Sequence, residues 1–323
     1  MKRIGVLTSG GDGPGLNPCI RAVTRMALGY GLEVMGIERG YAGLMDGEMI
    51  PLDARSVGGI IGRGGTFLGT ARAPEFETPH GQREALRNLN RHGIDGLVVI
   101  GGNGSLIGAC ALHRLGFPLV GVPATIDNDV VGTDIAIGVD TALNTILDAV
   151  DKIKDTASSH QRAFLIETMG RDSGYLALMG GLAGGAEMIL IPEFETTLEE
   201  VAQGLLDAYV RGKAHCIVVV AEGYKPGTQA VADHLCERQE ELGFGVRVTV
   251  LGHVQRGGSP MAFDRILATR LGAAAARELH EGNHGHIVGL IGNEIVLTPL
   301  EDVLTRRKEI DLSLCKLSRI MER

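Results

Sequence analysis

Asp127 and Asp129, two apart in Thr125-Ile126-Asp127-Asn128-Asp129 behind a buried-looking apolar run, have the types and spacing for chemistry. In an extended stretch, residues two apart point the same way, so both carboxylates face one place. Such a pair at a strand end suits proton abstraction or a hold on magnesium, although alone it also reads as an Asx-rich turn. Two glycine-rich turns offer a complementary chemistry: Ser9-Gly10-Gly11-Asp12-Gly13-Pro14-Gly15 and Gly101-Gly102-Asn103-Gly104-Ser105, each after an apolar run and ahead of a helical pattern. Bare backbone there lets phosphate oxygens reach N–H groups. No strict GxGxxG runs through residues 10–15 and no GxxxxGK[ST] occurs, so a Rossmann dehydrogenase and a Walker NTPase lose their main support. Arg162, Arg247, His253 and Arg256 are candidates for a phosphate carried by a substrate, since arginine forks match phosphate geometry. Arg21 and Arg25 stand four apart on one predicted helix, which costs a few tenths of a kcal/mol unless an anion lies between them.

Something must position these groups. Short β-branched runs at 4–7, 34–37, 97–100, 119–122, 164–166, 217–220 and 246–250 read as buried strands. Between them, sets such as Leu143, Ile146, Leu147, Val150 and Ile153, or Val201, Leu205, Leu206 and Tyr209, have helical spacing. The alternation predicts an α/β fold: two doubly wound, Rossmann-like domains with mostly parallel sheets and about eleven strands in all. The expected division is 1–138 plus 256–304 for a larger domain and 139–255 plus 305–323 for a smaller one.

Composition narrows the class. The 48 glycines in 323 residues are about twice the usual ~7%, with no repeat to absorb them, so many turns must bring backbone close to something. A net charge of −8 argues against a nucleic-acid duplex, and the absence of tryptophan with only 4% aromatics argues against a stacking platform for single strands. Five scattered cysteines without a CxxC pair suggest neither a disulfide framework nor zinc, and point to a reducing cytoplasm. No apolar run approaches the ~20 residues of a membrane helix, so neither export nor a membrane is expected.

The turns above, with Gly40-Tyr41-Ala42-Gly43-Leu44, Thr70-Ala71-Arg72, Met169-Gly170-Arg171, residues 181–187 and Leu251-Gly252-His253-Val254-Gln255-Arg256-Gly257-Gly258-Ser259-Pro260, resemble the bacterial ATP-dependent 6-phosphofructokinases, in family order from Lys2 to about Leu317. The resemblance implies a homotetramer that phosphorylates fructose 6-phosphate, with ATP as co-substrate in the larger domain, the sugar phosphate in the smaller one, and Mg2+. It implies that Asp127 takes the hydroxyl proton, with Thr125, Arg171, Arg72 and Gly11 as further catalytic residues. Gly11, Tyr41, Arg72, Ala73, Gly102, Asn103, Gly104 and Ser105 would hold ATP. Thr125, Ile126, Asp127, Met169, Gly170, Arg171, Glu222, His253, Val254, Gln255 and Arg256 would hold the sugar phosphate, with Arg162 and Arg247 reaching in from a neighbouring subunit. Arg21, Arg25, Arg55, Lys154, Gly185, Glu187, Arg211, Lys213 and His215 would form an effector site for ADP or phosphoenolpyruvate.

The main departure is Asn103, where the family's Gly-Gly-Asp-Gly turn supplies a magnesium-associated aspartate; Asn103 and Asp129 are the remaining candidate metal ligands. Gly104 keeps the ATP-type residue where pyrophosphate-dependent relatives carry an aspartate. Asn103 leaves two alternatives open here: a catalytically weak regulatory subunit binding nucleotide or sugar phosphate, and a related kinase with another donor or acceptor.

Overall fold

The computed structural model describes residues 1–160, 162–243 and 245–321. Its strands, numbered along the chain, are β1 (Arg3–Thr8), β2 (Glu33–Ile37), β3 (Met49–Leu52), β4 (Gly96–Gly101), β5 (Leu119–Pro123), β6 (Arg162–Thr168), β7 (Met188–Leu190), β8 (Cys216–Ala221), β9 (Gly245–Val250), β10 (His286–Ile291) and β11 (Glu294–Pro299). The chain divides into two compact units, Met1–Thr141 with Arg256–Lys308, and Ala142–Gln255 with Glu309–Arg323.

The larger unit holds a seven-stranded sheet in the order β11-β10-β5-β4-β1-β2-β3. Its centre is parallel because β1, β4 and β5 are joined through crossover helices, and all three are fully buried apart from Arg3. Apolar clusters cover both faces: Ile4, Val6, Val98 and Ile100 lie on one side with Ile20, Val23 and Leu271, and Leu7, Leu97 and Val99 on the other with Leu44, Leu89 and Leu106. The edges turn antiparallel. β3 pairs β2 and β11 pairs β10, the latter across Gly292-Asn293 with Gly292 at φ 61°, a left-handed value that a tight hairpin requires. The smaller unit holds a four-stranded parallel sheet in the order β7-β8-β6-β9, packed on helices such as Leu198–Val210.

The fold is thus the expected α/β arrangement of two mostly parallel sheets. β3, β7, β10 and β11 were not among the runs singled out in the sequence. β3, β7 and β11 are short or edge strands, where exposure breaks the apolar run that marks a central strand, whereas β10 lies inside the sheet between β5 and β11 with four of its six residues buried.

Candidate active site

Strand order brings the sequence motifs together. β1, β4 and β5 are neighbours and parallel, so the turns that follow them emerge side by side at one sheet edge, where open α/β sheets bind ligands. The backbones interlock: Ser9 N–H donates to the Ile100 carbonyl (3.1 Å) and Ala124 N–H to that of Gly101 (3.0 Å). Gly101 is glycine because a Cβ there would lie 2.6 Å from both the Ser9 carbonyl oxygen and Ser105 Oγ. The helix Asn103–Arg114 follows at once, and no side chain caps its first turn. Those N–H groups and the helix dipole favour an anion at the turn. Gly11 and Gly104 are exposed, and open space surrounds the position a Gly104 Cβ would take.

Around this cradle, Thr70 Oγ1 donates to the Gly10 carbonyl (2.8 Å) and Thr8 Oγ1 to that of Gly69 (3.1 Å). These bonds draw the segment carrying exposed Arg72 and half-buried Ala73 onto the first turn. Tyr41 is buried and stacked on Phe76 (4.0 Å), and its hydroxyl donates to the Ser105 carbonyl (2.6 Å), so it braces the second turn from beneath. Burial pushes its phenol pKa up. Arg256 packs against the first turn, its Nη1 donating to the Asp12 carbonyl (3.1 Å) and lying 2.5 Å from where a Gly11 Cβ would stand.

Asp127 leaves β5 on the segment 124–129 and is only 3% exposed. Its N–H donates to Thr125 Oγ1 (3.1 Å), and Gly102 approaches Thr125 closely. Ile126 is fully buried. Asn128 adopts φ 51°, left-handed for a residue with a side chain, which reverses the chain between the two aspartates. Its amide fixes that shape: Nδ2 donates to the Asp134 carbonyl (3.1 Å), while Oδ1 accepts from Ala136 N–H (3.0 Å) and Lys308 Nζ (3.0 Å). Asn103 Nδ2 donates to the Asp129 carbonyl (3.1 Å), tying the second turn to this segment. An aspartate at 103 has no hydrogen to make that bond.

In the smaller unit, Met169, Gly170 and Arg171 follow β6. Glu222, just past β8, accepts from Gly170 N–H (3.1 Å) and Arg171 N–H (2.7 Å) through the same Oε1. That grip holds two left-handed residues, Gly170 at φ 142° and Arg171 at φ 53°. Gln255 is fully buried, with Oε1 accepting from Met169 N–H (3.2 Å) and Nε2 donating to the Gly252 carbonyl (2.9 Å). Its amide is therefore engaged within the chain, while His253 and Val254 beside it are exposed. Arg162 and Arg247 lie elsewhere. Arg162 opens β6, and Arg247 faces Phe164 from β9, with its Nη1 on the Val246 carbonyl (2.7 Å). Arg162 lies a strand length, six steps or ~20 Å, from Thr168 at the other end of β6.

The basic residues taken as an effector set divide between the units. Arg21, on the helix Leu16–Gly29, Arg25 one turn on, and Arg55 belong to the larger one. In the smaller one, Glu187 accepts from Lys213 Nζ (3.0 Å) and Ile217 N–H (2.6 Å), Lys154 Nζ donates to the Gly184 carbonyl beside Gly185, and His215 Nδ1 meets Ser158 Oγ (2.9 Å). Arg211 is the exposed residue that ends the helix Leu198–Val210.

The phosphofructokinase sequence model matches residues 3–279. The chain belongs to the phosphofructokinase family. It is 53% identical over 318 residues to an ATP-dependent 6-phosphofructokinase of Bacillus pumilus, covering 98% of each chain, and 55% identical over 322 residues to ATP-dependent 6-phosphofructokinase 1 of Thermus thermophilus, covering 99% of each. Among solved structures, the phosphofructokinase of Saccharomyces cerevisiae superposes with a TM-score of 0.88 at 38% identity over 94% of this chain, and that of Pichia pastoris with 0.89 at 37% over 99%. The chain spans less than half of either yeast chain, 45% and 36%. The sequence reading passed over Thr8, Asn128 and Lys308. Asn128 lay inside the Thr125–Asp129 segment, but nothing in a sequence shows which backbone groups a side chain will tie.

Proposed function

We propose that this phosphofructokinase transfers the γ-phosphoryl group of ATP to the 1-hydroxyl of fructose 6-phosphate, as a glycolytic enzyme of the cytoplasm. The observation that carries this reading is the buried Asp127, four residues past the end of β5, on the segment that follows the strand next to the two strands bearing the glycine-lined turns. The near full-length relatives named ATP-dependent 6-phosphofructokinase support it, and five scattered cysteines without a CxxC pair suit a reducing compartment. In this mechanism Asp127 accepts the hydroxyl proton as the sugar oxygen bonds to the γ-phosphorus and the bond to the ADP oxygen breaks. Thr125 positions the moving group, and Arg72 and Arg171 offset its charge. Because the transition state is loose, the proton leaves late, and orientation of Asp127 counts for more than basicity.

The donor set suits magnesium held mainly by nucleotide phosphates and water. Among the described residues no three His, Cys, Asp or Glu side chains form a metal cluster, and Mg2+ commonly takes only one or two carboxylates. Asp129 and the Asn103 carbonyl oxygen would hold it, and when bound it would neutralise phosphate charge. Glu222, Met169 and His253 serve the sugar phosphate. Arg162 and Arg247 serve a neighbouring copy in a homotetramer, a reading supported by the strand length between Arg162 and its own chain's 169–171 segment. ADP or phosphoenolpyruvate is the effector we assign to the Lys154, Glu187 and Lys213 set.

Asp127→Ser tests the mechanism. Turnover with ATP and fructose 6-phosphate should fall at least ~10²-fold while KM for both substrates stays within about twofold, as expected for loss of a general base. A variant with full turnover would remove Asp127 from the reaction.

A further inference from the structure

We propose that Lys308 is a positioning residue for phosphoryl transfer, holding the Asp127 turn in place through Asn128; this rests on the function proposed above. Lys308 is the last residue of the larger unit, 180 positions from Asn128 in sequence. Its Nζ donates to Asn128 Oδ1 (3.0 Å) and to the Asp134 carbonyl (2.7 Å). These are two of the groups that define the turn: Asn128 Nδ2 reaches the same Asp134 carbonyl, and Asn128 Oδ1 also takes Ala136 N–H. One ammonium thus ties Asn128, the residue after Asp127, to Asp134, and Asn128 in turn holds residue 136.

That loop contains a strained residue. A left-handed Asn costs about 1 kcal/mol relative to a relaxed backbone, so Asn128 stays at φ 51° only while its side-chain bonds outweigh the alternatives. Asn128 is 3% exposed, and water is poorly placed to replace a lost donor. The acidic groups near the ammonium are Asp134 and Asp129, and burial pulls its pKa down to about 8 against their attraction. Loosening Asn128 would move Asp127 directly, because the two share a peptide bond. A base whose contribution is orientation loses rate for shifts of a fraction of an ångström.

The test uses the full chain and three variants. Lys308→Met keeps the length of the side chain and removes both hydrogen bonds, and Lys308→Arg restores a cation and donors. Lys308→Met should lower kcat ~10-fold with KM for ATP and fructose 6-phosphate within about twofold, and Lys308→Arg should recover most of that loss. Added to Asp127→Ser, Lys308→Met should cost nothing further, because a residue that acts through Asp127 has nothing left to position. Hydrogen–deuterium exchange should speed up across 125–137, most at Ala136, relative to the rest of the sheet.

An unchanged kcat for Lys308→Met, or an equal loss in the Asp127→Ser background, overturns the proposal. A native chain with no turnover on ATP and fructose 6-phosphate would sink the proposed reaction instead. The exchange comparison would then still decide whether Lys308 holds the turn, unchanged protection counting against it.

Discussion

The phosphate turns of the larger unit and the sugar-side residues of the smaller one are built on opposite plans. The turns after β1, β4 and β5 are mostly backbone, fixed by backbone-to-backbone bonds and by glycines too crowded for a side chain, as at Gly101. In the smaller unit the segment 169–171 is likewise fixed, by Glu222 and Gln255. The side chains proposed to meet a ligand there are another matter: His253 and Arg247 are exposed, and Arg247 lies on the edge strand β9. A site that reads phosphate with peptide N–H groups can be complete when the chain folds. One that reads it with long cations is completed by what approaches them, since an exposed arginine keeps its rotamer freedom until an anion takes it.

Arg162→Ala probes the exposed side and should have the largest effect of the substitutions that compare the two plans. If Arg162 holds the sugar phosphate as proposed, its loss should raise KM for fructose 6-phosphate ~10²-fold and leave KM for ATP nearly unchanged. Co-folding that variant with Asp127→Ser chains should restore part of the activity, because an intact site can then form from two damaged chains. If mixtures never exceed their parents, Arg162 serves its own chain and the contrast collapses.

The prefolded side is probed by Gly101→Ala. Its methyl would meet the Ser9 carbonyl and Ser105 Oγ, so urea unfolding should show a loss of about 2 kcal/mol, with weaker ATP binding. Gly104→Ala, in open space, is the control and should stay within ~0.5 kcal/mol. Equal losses at both positions would mean that close backbone approach is not what fixes the turn.

The smallest effect belongs to Asn103→Asp. The variant gains a charge near the metal's expected place, worth up to ~4 kcal/mol at 4 Å and a dielectric of ~20 before hydration reduces it. It also gives up the amide donated to the Asp129 carbonyl. A magnesium titration at saturating ATP should show half-saturation ~3-fold lower, with KM for fructose 6-phosphate unchanged. No shift would identify the hydrogen bond to Asp129 as the reason for asparagine here.

Much of this was legible before any coordinates. The buried runs of β1, β4, β5 and β8 read as central parallel strands because residues buried on both faces leave an unbroken apolar signature. The glycine turns behind them were equally plain, since only glycine leaves backbone bare enough to approach phosphate. Three edge strands, β3, β7 and β11, escaped notice, being short or partly exposed, while the edge strand β9 was legible.

By itself, then, the sequence determined the α/β class, the glycine turns and the candidate base, because composition, periodicity and motif order are local properties of the chain. Only tertiary structure decided how they are held. Tyr41 braces a turn 64 positions away, Gln255 steadies Met169 across 86, and Lys308 clamps Asn128 across 180. Each of those bonds depends on where the sheet and its connections deliver a donor within about 3 Å of an acceptor, a distance that no spacing along the chain encodes.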